Sequence, residues 1–103
     1  MTHCKFHMGQ LVEHQVHGYR GVIYGVDAAF NLAEQQYQHL LSSGENIMQP
    51  WYLVMVDDSN KLAYIAESNL LESDDHEHIR HPMLAYVFAH FNGERYFLNE
   101  SIH

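Results

Sequence analysis

Gln49-Pro50-Trp51-Tyr52-Leu53-Val54-Met55-Val56-Asp57-Asp58-Ser59-Asn60-Lys61-Leu62-Ala63-Tyr64-Ile65-Ala66-Glu67-Ser68-Asn69-Leu70 is the stretch that decides the fold. Pro50 halts helical geometry ahead of an apolar run rich in aromatic and β-branched residues. Residues 51–56 therefore read as a strand buried well enough to need few polar positions. Asp57-Asp58-Ser59-Asn60-Lys61 is turn chemistry, and Leu62 to Ala66 follows as a second strand, which predicts a hairpin. Glu67-Ser68-Asn69-Leu70 then reads as a turn or a single helical turn.

Toward the N-terminus, Leu11 to Val16 alternates as a strand, with Val12, His14 and Val16 on one face and Leu11, Glu13 and Gln15 on the other. His17-Gly18-Tyr19-Arg20-Gly21 places glycines where a tight turn needs positive φ, and Gly21 to Asp27 is a second β-rich run, so another hairpin is expected. Between the hairpins, Asn31 can cap a helix with Glu34 reaching back. Ala33, Tyr37, Leu40 and Leu41 share its apolar face and Gly44 closes it. Toward the C-terminus, Glu72 to His78 is an exposed polar loop. A helix is expected from Pro82, where Ile79, Met83, Val87 and Phe91 recur at helical spacing until Asn92-Gly93. Arg95 to Leu98 supplies a closing strand. The pattern predicts a mainly β protein: a small β-barrel with two short helices as inserts or covers.

The chain has 103 residues, 47% of them hydrophobic, and neither a repeat nor a Pro-, Ser- or Gly-rich linker divides it, so residues 1–103 read as a single domain. No apolar run approaches a membrane span and residues 1–7 lack the apolar middle of a secretory signal, which predicts a soluble cytoplasmic protein without a membrane partner. A single cysteine, Cys4, cannot form an internal disulfide. Five Lys and Arg stand against 13 Asp and Glu, giving −8 at neutral pH. That balance opposes nonspecific nucleic-acid binding. Ten histidines make the charge pH-sensitive.

Several segments together resemble the YccV-like, or hemimethylated-DNA-binding, domain family, whose stand-alone bacterial members are heat shock proteins of the HspQ type. They are Gly9-Gln10-x-Val12-x-His14, Gly18-Tyr19-x-Gly21-Val22-Ile23 with Asp27, Gln49-Pro50-Trp51-Tyr52-x-Val54-x-Val56-Asp57-Asp58, and Tyr64-Ile65-Ala66-Glu67-x-Asn69-Leu70. The resemblance implies an SH3-like barrel without catalysis. It also implies both binding of hemimethylated DNA and a part in protein quality control, where members of the HspQ type help the Lon protease degrade selected proteins. Ile79-x-His81-Pro82 through Phe91-Asn92-Gly93-x-Arg95-Tyr96-x-x-Asn99 departs from short HspQ and is similar to the longer version of the domain found in multidomain proteins.

Candidate sites follow from residue type and position. Tyr19, Tyr24, Trp51, Tyr52 and Tyr64 either form an aromatic groove for a peptide or pack as ordinary core, with Trp51 and Tyr19 expected to be partly exposed beside turns. Tyr19 and Arg20, on the first hairpin tip, are contact candidates because tips project and Arg is common in binding hot spots. Lys5, Arg20, Lys61 and Arg95 form the alternative DNA-binding set if folding gathers them on one face. Asp74, Asp75, His76, Glu77, His78 and His81, or His3, Cys4 and His7, have metal-ligand chemistry. A solvated acidic loop and a fraying terminus account for them better, so no metal or cofactor is expected. His14 reads as a hydrogen-bonded core histidine rather than a base, and Cys4 lies on a terminal segment ill-suited to catalysis. The favoured function is a non-enzymatic adaptor or regulator engaging a protease, its substrates or copies of itself; recognition of hemimethylated DNA is the alternative.

Overall fold

A computed structural model of the protein describes residues 3–29 and 48–99. The helix expected over residues 31–44 lies outside the described residues. Seven strands occur among those described: β1 Leu11–His14, β2 Arg20–Asp27, β3 Trp51–Val56, β4 Leu62–Ala66, β5 Leu70–Glu72, β6 Phe88–Phe91 and β7 Tyr96–Leu98. A 3-10 turn, Glu67–Asn69, joins β4 to β5, and a short helix, α1, covers Leu84–Val87.

Strands β1 to β5 form one antiparallel sheet in the order β4-β3-β2-β1-β5, and β6 and β7 form a separate two-stranded sheet. Both expected hairpins are present: Leu11 pairs with Val22 in the first, and Leu53 pairs with Tyr64 in the second. Among the described residues no ladder joins β4 to β5, so the expected closed barrel is corrected to an open sheet with a hairpin beside it. The connection nevertheless forces the sheet to curl. The step from Ala66 to Leu70 reaches at most about 14 Å even when extended, whereas coplanar strands in this order would hold β4 and β5 about 19 Å apart.

Curling gives the sheet an inner and an outer face, and alternate residues serve each. Val12, Ile23, Tyr52, Val54 and Ile65 pack inside with Phe6 and Leu70. Leu11, Val22 and Met55 face outward and are covered by Ile79, Phe88 and Tyr96 from the C-terminal segment. This double burial is why β3 needs a nearly unbroken apolar run. Each buried aliphatic side chain contributes ~1.5–3 kcal/mol relative to exposure.

Three expectations about elements are corrected. β1 stops at His14 instead of continuing to Val16, and Val16 is 72% exposed rather than on the core face. The helix expected from Pro82 to Phe91 is confined to Leu84–Val87, after which the chain turns into β6. Val87-Phe88 and Phe91 favour a strand, and Asn92-Gly93 serves a hairpin turn, with Gly93 at φ 96°, instead of ending a helix. β5 itself was not anticipated; it is three residues long.

Gly9 couples the two sheets. Its N–H donates to the Ile23 carbonyl at 2.7 Å and its carbonyl accepts from the Tyr96 N–H at 2.8 Å. It sits at φ +81°, and a Cβ there would lie 2.0 Å from the Tyr96 carbonyl oxygen. Gly18 has a similar φ, +75°, with nothing within 4 Å of a Cβ. Gly18→Ala should therefore lower stability by the left-handed backbone cost alone, about 1–2 kcal/mol. Gly9→Ala should cost more and strip hydrogen-exchange protection from β7; urea unfolding of the two variants side by side checks the order.

Candidate functional site

The first hairpin is closed by a histidine. His14 is 8% exposed, and its Nδ1 accepts the N–H groups of Val16 and His17, each at 3.1 Å. Gly18 N–H donates to the His14 carbonyl and His14 N–H to the Tyr19 carbonyl, which completes the turn. Nδ1 is therefore unprotonated, the role of a structural acceptor expected for a core histidine. The His14 ring also meets both neighbours at a tilt, 4.5 Å from His17 and 5.1 Å from Tyr19, while His17 and Tyr19 stack on each other at 6.4 Å.

That turn borders a cleft of about 350 Å³, lined by His14, Val16, His17 and Tyr19 together with Trp51 and residues 63–66 of β4. Of the five aromatics proposed for a groove, Tyr19, Trp51 and Tyr64 come together here. Trp51 contributes only an edge, because it is 1% exposed and stacks on Tyr64 with ring centroids 5.4 Å apart. Its expected partial exposure is thus corrected. The Tyr64 hydroxyl donates to Asp27 Oδ2 at 2.6 Å, which fixes the ring against β2. Tyr24 packs against the outer core. Val16 and His17 were not anticipated as cleft residues, because β1 was read as running on to Val16, whereas it ends at His14.

Tyr52 is fully buried and belongs to the core rather than to any groove. Its hydroxyl donates to Glu67 Oε2 at 2.7 Å and accepts the Phe6 N–H at 3.2 Å, while the same carboxylate oxygen accepts the Lys5 N–H at 2.9 Å. Phe6 meets the Tyr52 ring edge-on at 5.5 Å. Burial, followed by the Glu67 hydrogen bond, raises the Tyr52 phenol well above its ordinary value. The result is a clamp that fastens the N-terminal segment to the end of β4.

Arg20 begins β2 and is not on the hairpin tip, which is the expectation corrected here. Its side chain is 12% exposed and is held by Asp57 at 3.1 Å and Asp75 at 3.5 Å. It also donates to the carbonyls of Asp75 and Glu77, at 3.0 and 2.6 Å. Asp57 uses its second oxygen to accept the Arg80 N–H at 2.7 Å. Arg20 thereby sews the 73–80 loop onto the sheet, and its guanidinium faces carboxylates and carbonyls instead of a phosphate.

Two of the other cations expected to bind DNA come together. Lys5 and Arg95 share a depression of about 360 Å³ with His7 and Gln10, but Glu72 and Glu94 line it too. Lys61 lies in the β3–β4 turn, where its carbonyl meets His81 Nε2 at 2.9 Å. The loop residues with ligand chemistry are also dispersed: His78 contacts Phe91 at 4.8 Å, and the Asp75 carbonyl is bound by Arg20. Among the described residues no group of three His, Cys, Asp or Glu could hold a metal ion. Cys4 is exposed on the N-terminal segment. No helix among the described residues is long and apolar enough to cross a membrane.

Arg20→Ala should lower stability by about 3 kcal/mol, because it leaves Asp57 without its buried partner, and should raise hydrogen exchange across residues 75–80. Tyr52→Phe should cost ~1–3 kcal/mol. Because the folded phenol is raised, its stabilising contribution is complete below the unfolded value near ~10 and is lost as pH climbs above it. The urea midpoint of the wild type should fall above that pH, more steeply than that of Tyr52→Phe. A comparison with protein families bears on the whole of this arrangement: residues 4–95 match the family model described as hemimethylated DNA-binding protein YccV like.

Proposed function

Since the chain belongs to the YccV-like family, we propose that it is a non-enzymatic, cytoplasmic binding module of the HspQ kind. In this reading the curled sheet is an SH3-like barrel left unclosed, and it engages a Lon-type protease or that protease's substrates through the cleft between the β1–β2 turn and β4. The single observation that carries the reading is the convergence of Tyr19, Trp51 and Tyr64 with His14 and His17 on that cleft. Aromatic and histidine surfaces with a polar edge suit a polypeptide partner. Charge supplies the partner's chemistry: at −8 overall, the favoured occupant is an extended segment carrying Lys or Arg.

The family description keeps hemimethylated DNA as the second reading. The neighbourhood of Lys5 and Arg95 favours it, and Glu72 and Glu94 in the same depression oppose it. A duplex held by so few cations should bind modestly and release steeply with salt.

Two measurements separate the readings. Degradation of fluorescent casein by purified Lon should change at least roughly twofold on adding the domain, and Val16→Asp with His17→Ala should abolish the change while leaving the unfolding midpoint unaltered. No effect of the wild type on Lon would sink the adaptor reading. Fluorescent hemimethylated, fully methylated and unmethylated duplexes, titrated at several salt concentrations, should show no methylation-dependent binding; saturable binding abolished by Lys5→Glu with Arg95→Glu would establish the alternative.

A further inference from the structure

Two hairpins of this protein are closed by one hydrogen-bond pattern and by different chemistry. In the β6–β7 turn, Asn92 Oδ1 accepts the N–H groups two and three residues on, those of Glu94 and Arg95, each at 2.9 Å. In the β1–β2 turn, His14 Nδ1 accepts the corresponding pair, from Val16 and His17, each at 3.1 Å. An amide oxygen keeps its lone pairs at every physiological pH, which suits Asn to such turns. An imidazole nitrogen accepts only while it carries no proton, and histidine changes charge between about pH 5 and 8. One turn therefore has a proton-independent lock and the other a proton-dependent one.

A proton on Nδ1 removes both bonds at once and sets a ring N–H against two backbone N–H groups. The flanks of the turn are anchored separately, by the Gln15 N–H on the Asn69 carbonyl at 2.7 Å and the Gly18 N–H on the His14 carbonyl at 2.9 Å. Between those anchors, the N–H groups of Val16 and His17 answer to Nδ1 alone among the described residues. The same two residues supply side chains to the cleft.

The described titratable groups that meet the His14 ring are His17 and Tyr19. Burial raises the Tyr19 phenol above its ordinary value, so Tyr19 stays neutral wherever histidine titrates. Glu13, beside His14 in β1, alternates to the opposite face of the strand, and Leu70, opposite His14 in β5, is uncharged. On the β4 side, the Tyr64 hydroxyl donates to Asp27 and the Glu67 carboxylate is taken up by Tyr52 and the Lys5 N–H.

We propose that the cleft beside the β1–β2 turn is acid-labile: protonation of His14 at Nδ1 frees the Val16 and His17 peptides and withdraws that wall of the cleft. The bonds exist above the titration range of the ring and are lost below it, so an occupant is held near neutral pH and released on mild acidification. The new positive charge acts in the same direction, because it repels a segment carrying Lys or Arg. This deepens the adaptor reading and rests on it for the occupant; the opening of the turn belongs to the chain by itself.

The test is amide hydrogen exchange of the full chain at about pH 7.5 and about pH 5, expressed as protection factors so that the intrinsic pH dependence of exchange cancels. Protection at Val16 and His17 should fall roughly tenfold at the lower pH, while protection at Glu94 and Arg95 is unchanged. That comparison lies within the wild type and needs no variant to fold. His14→Asn, which puts an amide oxygen where Nδ1 stood, should hold Val16 and His17 at both pH values. His17→Gln should keep the acid response. Protection at Val16 and His17 that survives the lower pH, that falls equally at Glu94 and Arg95, or that falls equally in His14→Asn would overturn the proposal. None of these readouts uses a partner, so a failed Lon assay removes the adaptor reading without being mistaken for a failure of the turn to open.

Discussion

Three residues, Glu67–Asn69, connect strands at opposite edges of a five-stranded sheet, and most of the structure follows from that shortness. The sheet must curl for β4 to hand the chain to β5. Curling creates a concave face small enough for Phe6, Tyr52 and Leu70 to fill and a convex face that needs a cover of its own. The same turn carries Glu67, whose carboxylate anchors both Tyr52 and the N-terminal segment, so the connection that bends the sheet also holds the residue plugging its interior.

The convex face explains the C-terminal segment. Leu11, Val22 and Met55 would be exposed on a free-standing curled sheet, and Ile79, Phe88 and Tyr96 bury them. Polar attachments fix that cover without extending the sheet through it, among them the Gly9–Tyr96 backbone contact, the Arg20 network that holds residues 75–80, and the His81 contact with the Lys61 carbonyl. Polar groups with defined directions set the register, and apolar contact supplies most of the stabilisation.

What the sequence disclosed was what local rules govern. Pro50 ahead of an apolar strand, and Asp57 to Asn60 before Leu62, fix the β3–β4 hairpin within a few residues, and the glycines at 18 and 21 do the same for β1–β2. The C-terminal segment defeated local reading for an arithmetical reason. Positions 79, 83, 87 and 91 are four apart, which satisfies a helical stripe and one face of a strand equally, and only the outer core decides between them. Arg20 was read as a projecting contact because its partners lie 37 to 57 residues away. Trp51 was expected at a surface because a turn precedes it, yet its ring is covered by Tyr64 from the neighbouring strand. The aromatic cleft was partly legible: Tyr19 and Tyr64 were named, but Val16 and His17 depended on where β1 ends, and that is set by the His14 side chain closing the turn.

Tyr19 and Arg20 are consecutive, and they face different duties. Tyr19 lines the cleft at the hairpin, while Arg20 grips the carbonyls of Asp75 and Glu77 in the segment that leads to the cover of the outer face. Any strain that drew the 75–77 backbone away from the guanidinium would release the start of β2, one peptide unit from the cleft wall. Loosening at either place would then be felt at the other with the same sign and the same free energy, since thermodynamic reciprocity admits no one-way influence between two equilibria.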